Sequence, residues 1–423
     1  MSVIDVINRL KSEILPKAIN DGNFGIDKCK FLDFIRDEGD VQDQFQSDVI
    51  FGDVVMTTKA NEKCFQSVAI KVQPFVKRRY CTECDGHFYK EHLFYSEIVP
   101  FFKKHDSTNV IGKYFPKFFF GIATRGEAPE KDILIFENLQ KLKFKLASSR
   151  SFICYDHIKL TLESIAEFHS LSIVCKKRDP EGFKRIVSKL DETRWTEDRL
   201  EEDTHFLGEN CKRGILPFQN DPDFKDKLSE MLALVENVGL FMRKSVIPVE
   251  PLAVICHGDL CRNNIFYRYD ADGKPVGIKF FDLATIRYSS PVIDLSFFLF
   301  MNCSPEERSR NWEGILTTYH TAVLSNPDVD ERDCPTLEDI RQDFQRRGFY
   351  GYAHSSFFLP MMMEDRDKLE DKNDWGKLSI DDVIELRLKT GGERATDCVA
   401  QIVKHMIDQK FDFKYIMSLE FHD

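Results

Sequence analysis

No stretch of the 423-residue chain reaches the roughly 18 consecutive apolar residues that a membrane-crossing helix needs. The nearest, Val292 to Met301, is interrupted by Asp294. The amino terminus (Met1-Ser2-Val3-Ile4-Asp5-Val6) has neither a basic cluster nor an uninterrupted apolar run, so no secretory signal is expected. Positive charge is also short: Lys+Arg total 59 against 70 Asp+Glu, a net charge of −11. That balance argues against a nucleic-acid or anionic-membrane partner, both of which want a positive surface. It leaves room for a small anionic cofactor held by a few local cations. The twelve cysteines, scattered from Cys29 to Cys398, form no disulfide framework, and a chain this long needs none. Reduced thiols in the cytoplasm are the expectation. Trp is scarce (3) and Tyr modest (12), but Phe is abundant at 37. Such an excess can line a large apolar pocket or fill an aromatic core, and the core is the plainer reading.

What is present is ordinary globular material, 42% hydrophobic and 30% charged, with no internal repeat and no low-complexity linker. Residues 1–20 recur at helical spacing (Val3, Val6, Ile7, Leu10, Ile14), with Pro16 closing the run. From about 29 to 73 the pattern turns to strands: Lys30–Ile35, Val49–Met56 and Val68–Val72, joined by hairpin-length turns. A helix is expected over Phe88–Phe102, then strands at Phe115–Ile122 and Asp132–Glu137. From Tyr155 onward helical patterns dominate, interrupted by a β region at Asn264–Arg268 and Val276–Asp282 around an Asp272-Gly273 turn. The expected organisation is a small, mostly antiparallel β lobe over residues 1–139 and a larger, mostly α lobe over 140–423, an α+β arrangement.

The strongest chemical signal is His257-Gly258-Asp259-Leu260-Cys261-Arg262-Asn263-Asn264-Ile265. An acid followed five residues later by an amide, with a His two before the acid, is the spacing of a phosphotransferase catalytic loop. The acid must reach the acceptor hydroxyl to orient it and take its proton, and the amide oxygen must lie one short loop away on a Mg²⁺. A second acid, Asp282, ends the next apolar strand (Lys279-Phe280-Phe281-Asp282-Leu283), where a carboxylate can chelate the same metal. A third element is Val68-Ala69-Ile70-Lys71, a lysine at the end of an apolar strand that needs partners there. Phosphates and a helix glutamate are such partners, and Glu91 is the choice, with Glu97 second.

As an ordered set these residues resemble the protein-kinase-like superfamily, in the branch with choline and aminoglycoside kinases. They look closest to the ecdysteroid-kinase-like (CHK-kinase-like) family. The catalytic loop, Phe281-Asp282-Leu283 and Arg287-Tyr288-Ser289-Ser290-Pro291-Val292-Ile293-Asp294 carry the likeness, with Glu91-His92-Leu93-Phe94-Tyr95, Ile135-Phe136-Glu137-Asn138-Leu139 and Ala166-Glu167-Phe168-His169 upstream. The resemblance runs from about residue 25 to 330. It implies a bilobal protein-kinase-like fold using ATP and Mg²⁺, with γ-phosphoryl transfer to the hydroxyl of a small-molecule alcohol, a steroid in the name-giving members. By position, Asp259 would be the catalytic base and Asn264 and Asp282 the metal ligands. Lys71 would contact phosphate and Glu91 would pair with it, while backbone groups of Glu137 and Leu139 face the adenine. Asp294 would hold the loop. A cytoplasmic monomer is the expected setting. Alternatives are a choline- or aminoglycoside-like kinase acting on a polar amine, and a non-catalytic kinase-like protein that binds ligand.

The departure from the family pattern is the phosphate-covering turn, Gly39 to Ser47, with a single glycine and no G-x-G-x-x-G. Gln44, Phe45 and Ser47 are its candidate nucleotide-binding residues. A Gly-poor turn lets backbone N–H groups approach phosphate less closely, and Asp40 and Asp43 repel it. Cys81, Cys84, His87 and His92 have zinc-ligand types, but unremarkable thiols are the plainer reading. Asp270-x-Asp272-Gly273 looks like the start of a calcium loop without its later acidic ligand. On the acceptor side, Phe349, Tyr350, Tyr352, Phe357, Phe358, Met361, Met362 and Met363 can line an apolar pocket, or form a helix core, which is favoured for any one of them.

Overall fold

A computed structural model describes residues 2–38, 47–74, 84–365 and 378–421. Three antiparallel strands, β1 (Lys28–Arg36), β2 (Asp48–Thr58) and β3 (Lys63–Val72), form a meander. β4 (Phe118–Ile122) and β5 (Ile133–Glu137) complete a sheet of order β1-β2-β3-β5-β4. Alternation sets its two faces. Ile70, Val72, Ile133 and Ile135 point to one core, against Leu10, Ile14, Leu15 and Ile19 of the amino-terminal helices. Ala69, Lys71 and Phe136 point the other way, toward a cleft.

Those first helices run further than the sequence pattern predicts. α1 (Val3–Arg9) passes through a π-turn (Leu10–Ile14) into α2 (Leu15–Asn20). Pro16 sits in the first turn of α2, where its missing N–H is tolerated, so it starts a segment rather than ending the helix. The helix expected from Phe88 begins earlier: α3 (Cys84–Leu93) continues through a π-turn (Phe94–Ile98) into α4 (Val99–Lys103), followed by α5 (Val110–Tyr114).

The larger, helical part is built on α6 (Tyr155–Arg178), fully buried α11 (Val292–Asn302), α12 (Pro305–Leu324) and α14 (Phe349–Met363). α7 (Pro180–Val187), α8 (Leu200–Ile215), α9 (Lys225–Val235), α10 (Val238–Ser245), α13 (Leu337–Arg347), α15 (Ile380–Lys389) and α16 (Gly392–Asp408) surround them. Two small antiparallel ribbons interrupt the helices: β6 (Val254–Cys256) with β9 (Arg287–Ser289), and the hairpin β7 (Ile265–Tyr269) with β8 (Pro275–Phe280). The second is the expected hairpin, while the first is too short to read from the sequence. This is the expected α+β arrangement, a mostly antiparallel sheet toward the amino terminus followed by a larger, mostly helical part.

The phenylalanines fill the core between sheet and helices. Phe94, Phe102, Phe115 and Phe280 gather around Phe168 or one another at centroid separations of 4.9–6.1 Å. No helix among the described residues is long and apolar enough to cross a membrane. Among the described residues nine cysteines are free, but Cys84 is disulfide-bonded, which departs from the expectation of reduced thiols throughout.

Candidate active site

The catalytic-loop segment leaves β6 and turns at Gly258, whose φ is +87°. A Cβ there would stand 2.0 Å from the Thr285 carbonyl oxygen, so both backbone conformation and space exclude a side chain. Asp294, at the start of α11 and wholly buried, fixes the turn. Its two carboxylate oxygens accept the His257 and Gly258 N–H groups at 2.7 Å each. His169 from α6 lies 3.1 Å from the same carboxylate and 2.9 Å from the Tyr319 hydroxyl. Burial opposes ionisation of Asp294, but the hydrogen bond and charge of His169 outweigh it and hold the carboxyl below its ordinary value.

Downstream, Asn264 donates its amide to the Asp259 carbonyl at 2.9 Å and to the Asp259 carboxylate at 2.8 Å. The Asn264 carbonyl accepts the Phe281 N–H at 3.1 Å, so the hairpin β7–β8 folds Asp282 back beside the loop. His257 closes the link: its Nε2 lies 3.1 Å from the Phe281 carbonyl, and its Nδ1 accepts the Asp259 N–H at 3.4 Å. Burial raises the Asp259 carboxyl, and the neighbouring Asp282 charge raises it further. Asp282 itself has φ 63°, an uncommon conformation for a non-glycine residue that turns its carboxylate away from the strand.

From the sheet side, Lys71 meets both carboxylates of this region. Its Nζ lies 2.5 Å from Glu91 of α3 and 2.8 Å from Asp282. Lys71 and Glu91 are 8% and 2% exposed. Burial opposes the ammonium charge, but Asp282 and Glu91 together outweigh it and raise Lys71 above its ordinary value. Glu91 is raised by burial, against the pull of Lys71, and its other oxygen accepts the Leu283 N–H at 3.4 Å. Asp282 is lowered: burial is outweighed by the charge and hydrogen bond of Lys71. Glu97 faces elsewhere, paired with Lys189.

These residues border a cleft lined by Val49, Ala69, Lys71, Phe136, Leu139 and Asp282, with Glu137 beside them. Glu137 and Leu139 therefore sit on the cleft. The Leu139 carbonyl already accepts from Leu142 and Phe144, and no hydrogen bond from the Leu139 N–H is found among the described residues. The Glu137 carboxylate is turned outward to the Lys117 N–H at 2.8 Å. Ser47, 3% exposed, immediately precedes β2, whereas Gln44 and Phe45 lie outside the described residues. The donor set suits Mg²⁺: a carboxylate on Asp282 and, with the Asn264 nitrogen committed to Asp259, an amide oxygen on Asn264.

Other sequence candidates separate. Phe349, Tyr350 and Tyr352 are core residues at 0–1% exposure, while Phe357, Phe358 and Met363 are half-buried. Met362 reaches the catalytic loop, its sulfur 3.6 Å from the Asn263 amide. Cys81 lies outside the described residues, and the disulfide of Cys84 withdraws that thiol from a zinc set. Asp270 caps its own hairpin turn, accepting the Asp272 and Lys274 N–H groups at 3.0 and 2.9 Å. Three residues near the site carried no sequence-based role: His169, Arg287 and Glu192. The His169 segment was part of the family likeness, but its partner stands on a distant helix.

The ecdysteroid kinase-like family matches residues 42–326. No curated protein matches the chain. Similar solved structures include an ethanolamine kinase of Plasmodium vivax, with 15% identity and a TM-score of 0.40 over 85% of this chain and 81% of that one. Another is APH(2")-IIa in a ternary complex with streptomycin and ATP, with 11% identity and a TM-score of 0.34 over 80% of this chain and 98% of that one. The family match spans more than half of the sequence, and the chain belongs to the ecdysteroid kinase-like family.

Proposed function

We propose that the protein is an ATP- and Mg²⁺-dependent small-molecule kinase that transfers the γ-phosphoryl group to the hydroxyl of an apolar alcohol of steroid type. The observation that carries this reading is the meeting of Lys71, Glu91 and Asp282 at one cleft, with Asp259 and Asn264 joined beside them. In this reading residues 1–139 and 140–423 act as two lobes that meet at Asn138–Gln140. The Leu139 N–H and the Glu137 carbonyl address the adenine edge, and Ser47, with Gln44 and Phe45, serves the phosphates.

Asp259 accepts the proton of the acceptor hydroxyl as its oxygen bonds to phosphorus and the bond to the ADP oxygen breaks. Lys71 supports the phosphates, and Glu91 keeps Lys71 in place. Asp282 and Asn264 would hold Mg²⁺, which would neutralise phosphate charge. The steroid-type acceptor is supported by the family's name and by the half-buried Phe357, Phe358 and Met363 on the helix that carries Met362 to the catalytic loop.

Nucleotide-induced thermal shift tests the reading. ATP is expected to raise the melting temperature more with Mg²⁺ than without, and Asp282→Ala to remove that difference. A shift indifferent to Mg²⁺ in the wild-type protein contradicts it.

A further inference from the structure

Among the described residues with a free thiol, Cys154 is the exposed one. It stands at the N-cap of α6, yet its side chain takes no hydrogen bond from the first turn of that helix. Its Sγ lies instead 2.9 Å from Nδ1 of His157, three residues on. The other ring nitrogen, Nε2, lies 3.0 Å from the Tyr269 hydroxyl at the end of β7. Tyr267 and Tyr269 pack against the imidazole, at centroid separations of 4.7 and 5.6 Å. A nucleophile within reach of a base that a third group orients is the arrangement that activates a thiol. With the Nε2 hydrogen given to Tyr269, Nδ1 is an acceptor for the thiol proton. Burial holds the imidazole below its ordinary value, against the opposing charge of Asp156, which keeps the ring neutral and able to accept. The buried thiols contrast: burial pushes Cys175, Cys211 and Cys303 up to about 12, which makes them inert.

Beside the dyad lies a cationic, aromatic cavity. Tyr269 is one wall of it, and Lys143, Phe144, Lys145 and Phe266 are others. The Lys145 ammonium lies 5.1 Å from the Tyr269 ring centroid, and neither lysine is in an ion pair among the described residues. In a chain of net charge −11, two unpaired ammonium groups on one cavity favour an anionic ligand. The cavity meets the candidate nucleotide cleft at Gln140 and Phe266, but Cys154, His157 and Tyr269 do not line that cleft.

We propose that Cys154 is a modification site, a thiol activated by His157 that exchanges with a small anionic disulfide of the glutathione disulfide type and keeps half of it, with Lys143 and Lys145 receiving its carboxylates. His157 Nδ1 takes the thiol proton as Sγ attacks one sulfur of the ligand. The ligand's own sulfur–sulfur bond breaks as the new one forms, and the departing thiolate takes up the proton. Cys154 is oxidised to the mixed disulfide, and the small disulfide, which is the oxidant, releases its other half as a reduced thiol. The site stands apart from the kinase reading and is tested without nucleotide.

The full chain is exposed at low ionic strength to glutathione disulfide or to the cationic disulfide cystamine. Remaining thiols are blocked with iodoacetamide, and mixed disulfide at each cysteine is followed by peptide mass spectrometry, beside a thermal melt. Glutathione disulfide is expected to modify Cys154 well before Cys64, which is half-buried on β3. His157→Gln should slow the Cys154 reaction about a hundredfold, the low end of a general base's weight. Tyr269→Phe, which only releases the imidazole from its hydroxyl partner, serves if His157→Gln does not fold, with an expected slowing of about threefold. Joint Lys143→Met and Lys145→Met should slow glutathione disulfide about tenfold, as expected from lost electrostatic steering, and leave cystamine no slower. Cys154 reacting no faster than Cys64 overturns the proposal. So does a wild-type rate in folded His157→Gln or, where that variant does not fold, in Tyr269→Phe. Cystamine reacting as fast as glutathione disulfide, or a lysine variant that reacts like wild type, overturns the anionic ligand and the proposal with it.

Discussion

The two halves of the candidate site are held by different physics. The catalytic-loop half is fixed by backbone: Gly258 admits no side chain, and Asp294 grips two consecutive N–H groups from a fully buried position. The Lys71 half is held by three charged side chains that come from the sheet, α3 and the end of the β7–β8 hairpin. A buried carboxylate satisfied by backbone N–H groups and a histidine has one arrangement, so disturbing it unfolds the region around it. Two carboxylates sharing one ammonium have several arrangements of similar energy, and ligands can choose among them. The loop half is a preformed frame, and the Lys71 half is where function can be tuned.

The largest expected effect is on turnover alone. Asp259→Ala should lower phosphoryl transfer by roughly 10²–10⁴, the usual weight of a general base, while Mg·ATP binding stays near wild type. Near-normal turnover would remove Asp259 from the mechanism. Next comes the frame. Asp294→Ala leaves His169 and two loop N–H groups without their buried acceptor, and urea denaturation should show a loss of about 3–5 kcal/mol. The same carboxyl predicts acid sensitivity. Because its folded value lies below the ordinary 3.8, its stabilisation is complete above that value and is lost as pH falls through the folded one. In Asp294→Asn, that part of the difference in urea midpoint between pH 7 and pH 3 should vanish. Glu91→Gln sharpens the contrast from the other side: about 1 kcal/mol or less of stability, against about a tenfold fall in kcat/KM for Mg·ATP. Equal losses in both would mean that the two halves do not differ as argued. The smallest effect belongs to the acceptor wall. Phe357→Ala should raise KM for an apolar acceptor by up to about tenfold and leave Mg·ATP untouched.

How much of this was legible in the sequence follows from the range of the interactions. Asp259 and Asn264 stand five positions apart on one loop, and Asp282 closes the hairpin that follows, so local spacing reveals them. Lys71 shows as a charge at the end of an apolar strand, and Glu91 as an acid on the next helix. The choice of Glu91 over Glu97 depends on which face of α3 and its π-turn looks inward, which the chain pattern alone left open. His169, Arg287 and Glu192 were not assigned roles because each is defined by partners far away in sequence: Asp294 and Tyr319 for His169, Tyr350 and Glu192 for Arg287, and Arg287 for Glu192. The β6–β9 ribbon, three residues on each side, is too short to carry a period. Pro16 misled because a π-turn precedes it, giving a proline the first turn it tolerates. The aromatic run 349–363 was read mostly as core, and the deep burial of Phe349, Tyr350 and Tyr352 follows from packing against α11, whose eleven residues are all buried.

The account stands most directly on phosphoryl transfer itself. Wild-type protein and Asp259→Asn should be incubated with Mg·ATP and a panel of ecdysteroids, other sterols, choline, ethanolamine and an aminoglycoside, with products read by mass spectrometry. The account predicts one added phosphate on a steroid, present with wild type and absent with Asp259→Asn. Phosphate gained on an amine substrate alone, or equally in both proteins, would contradict it.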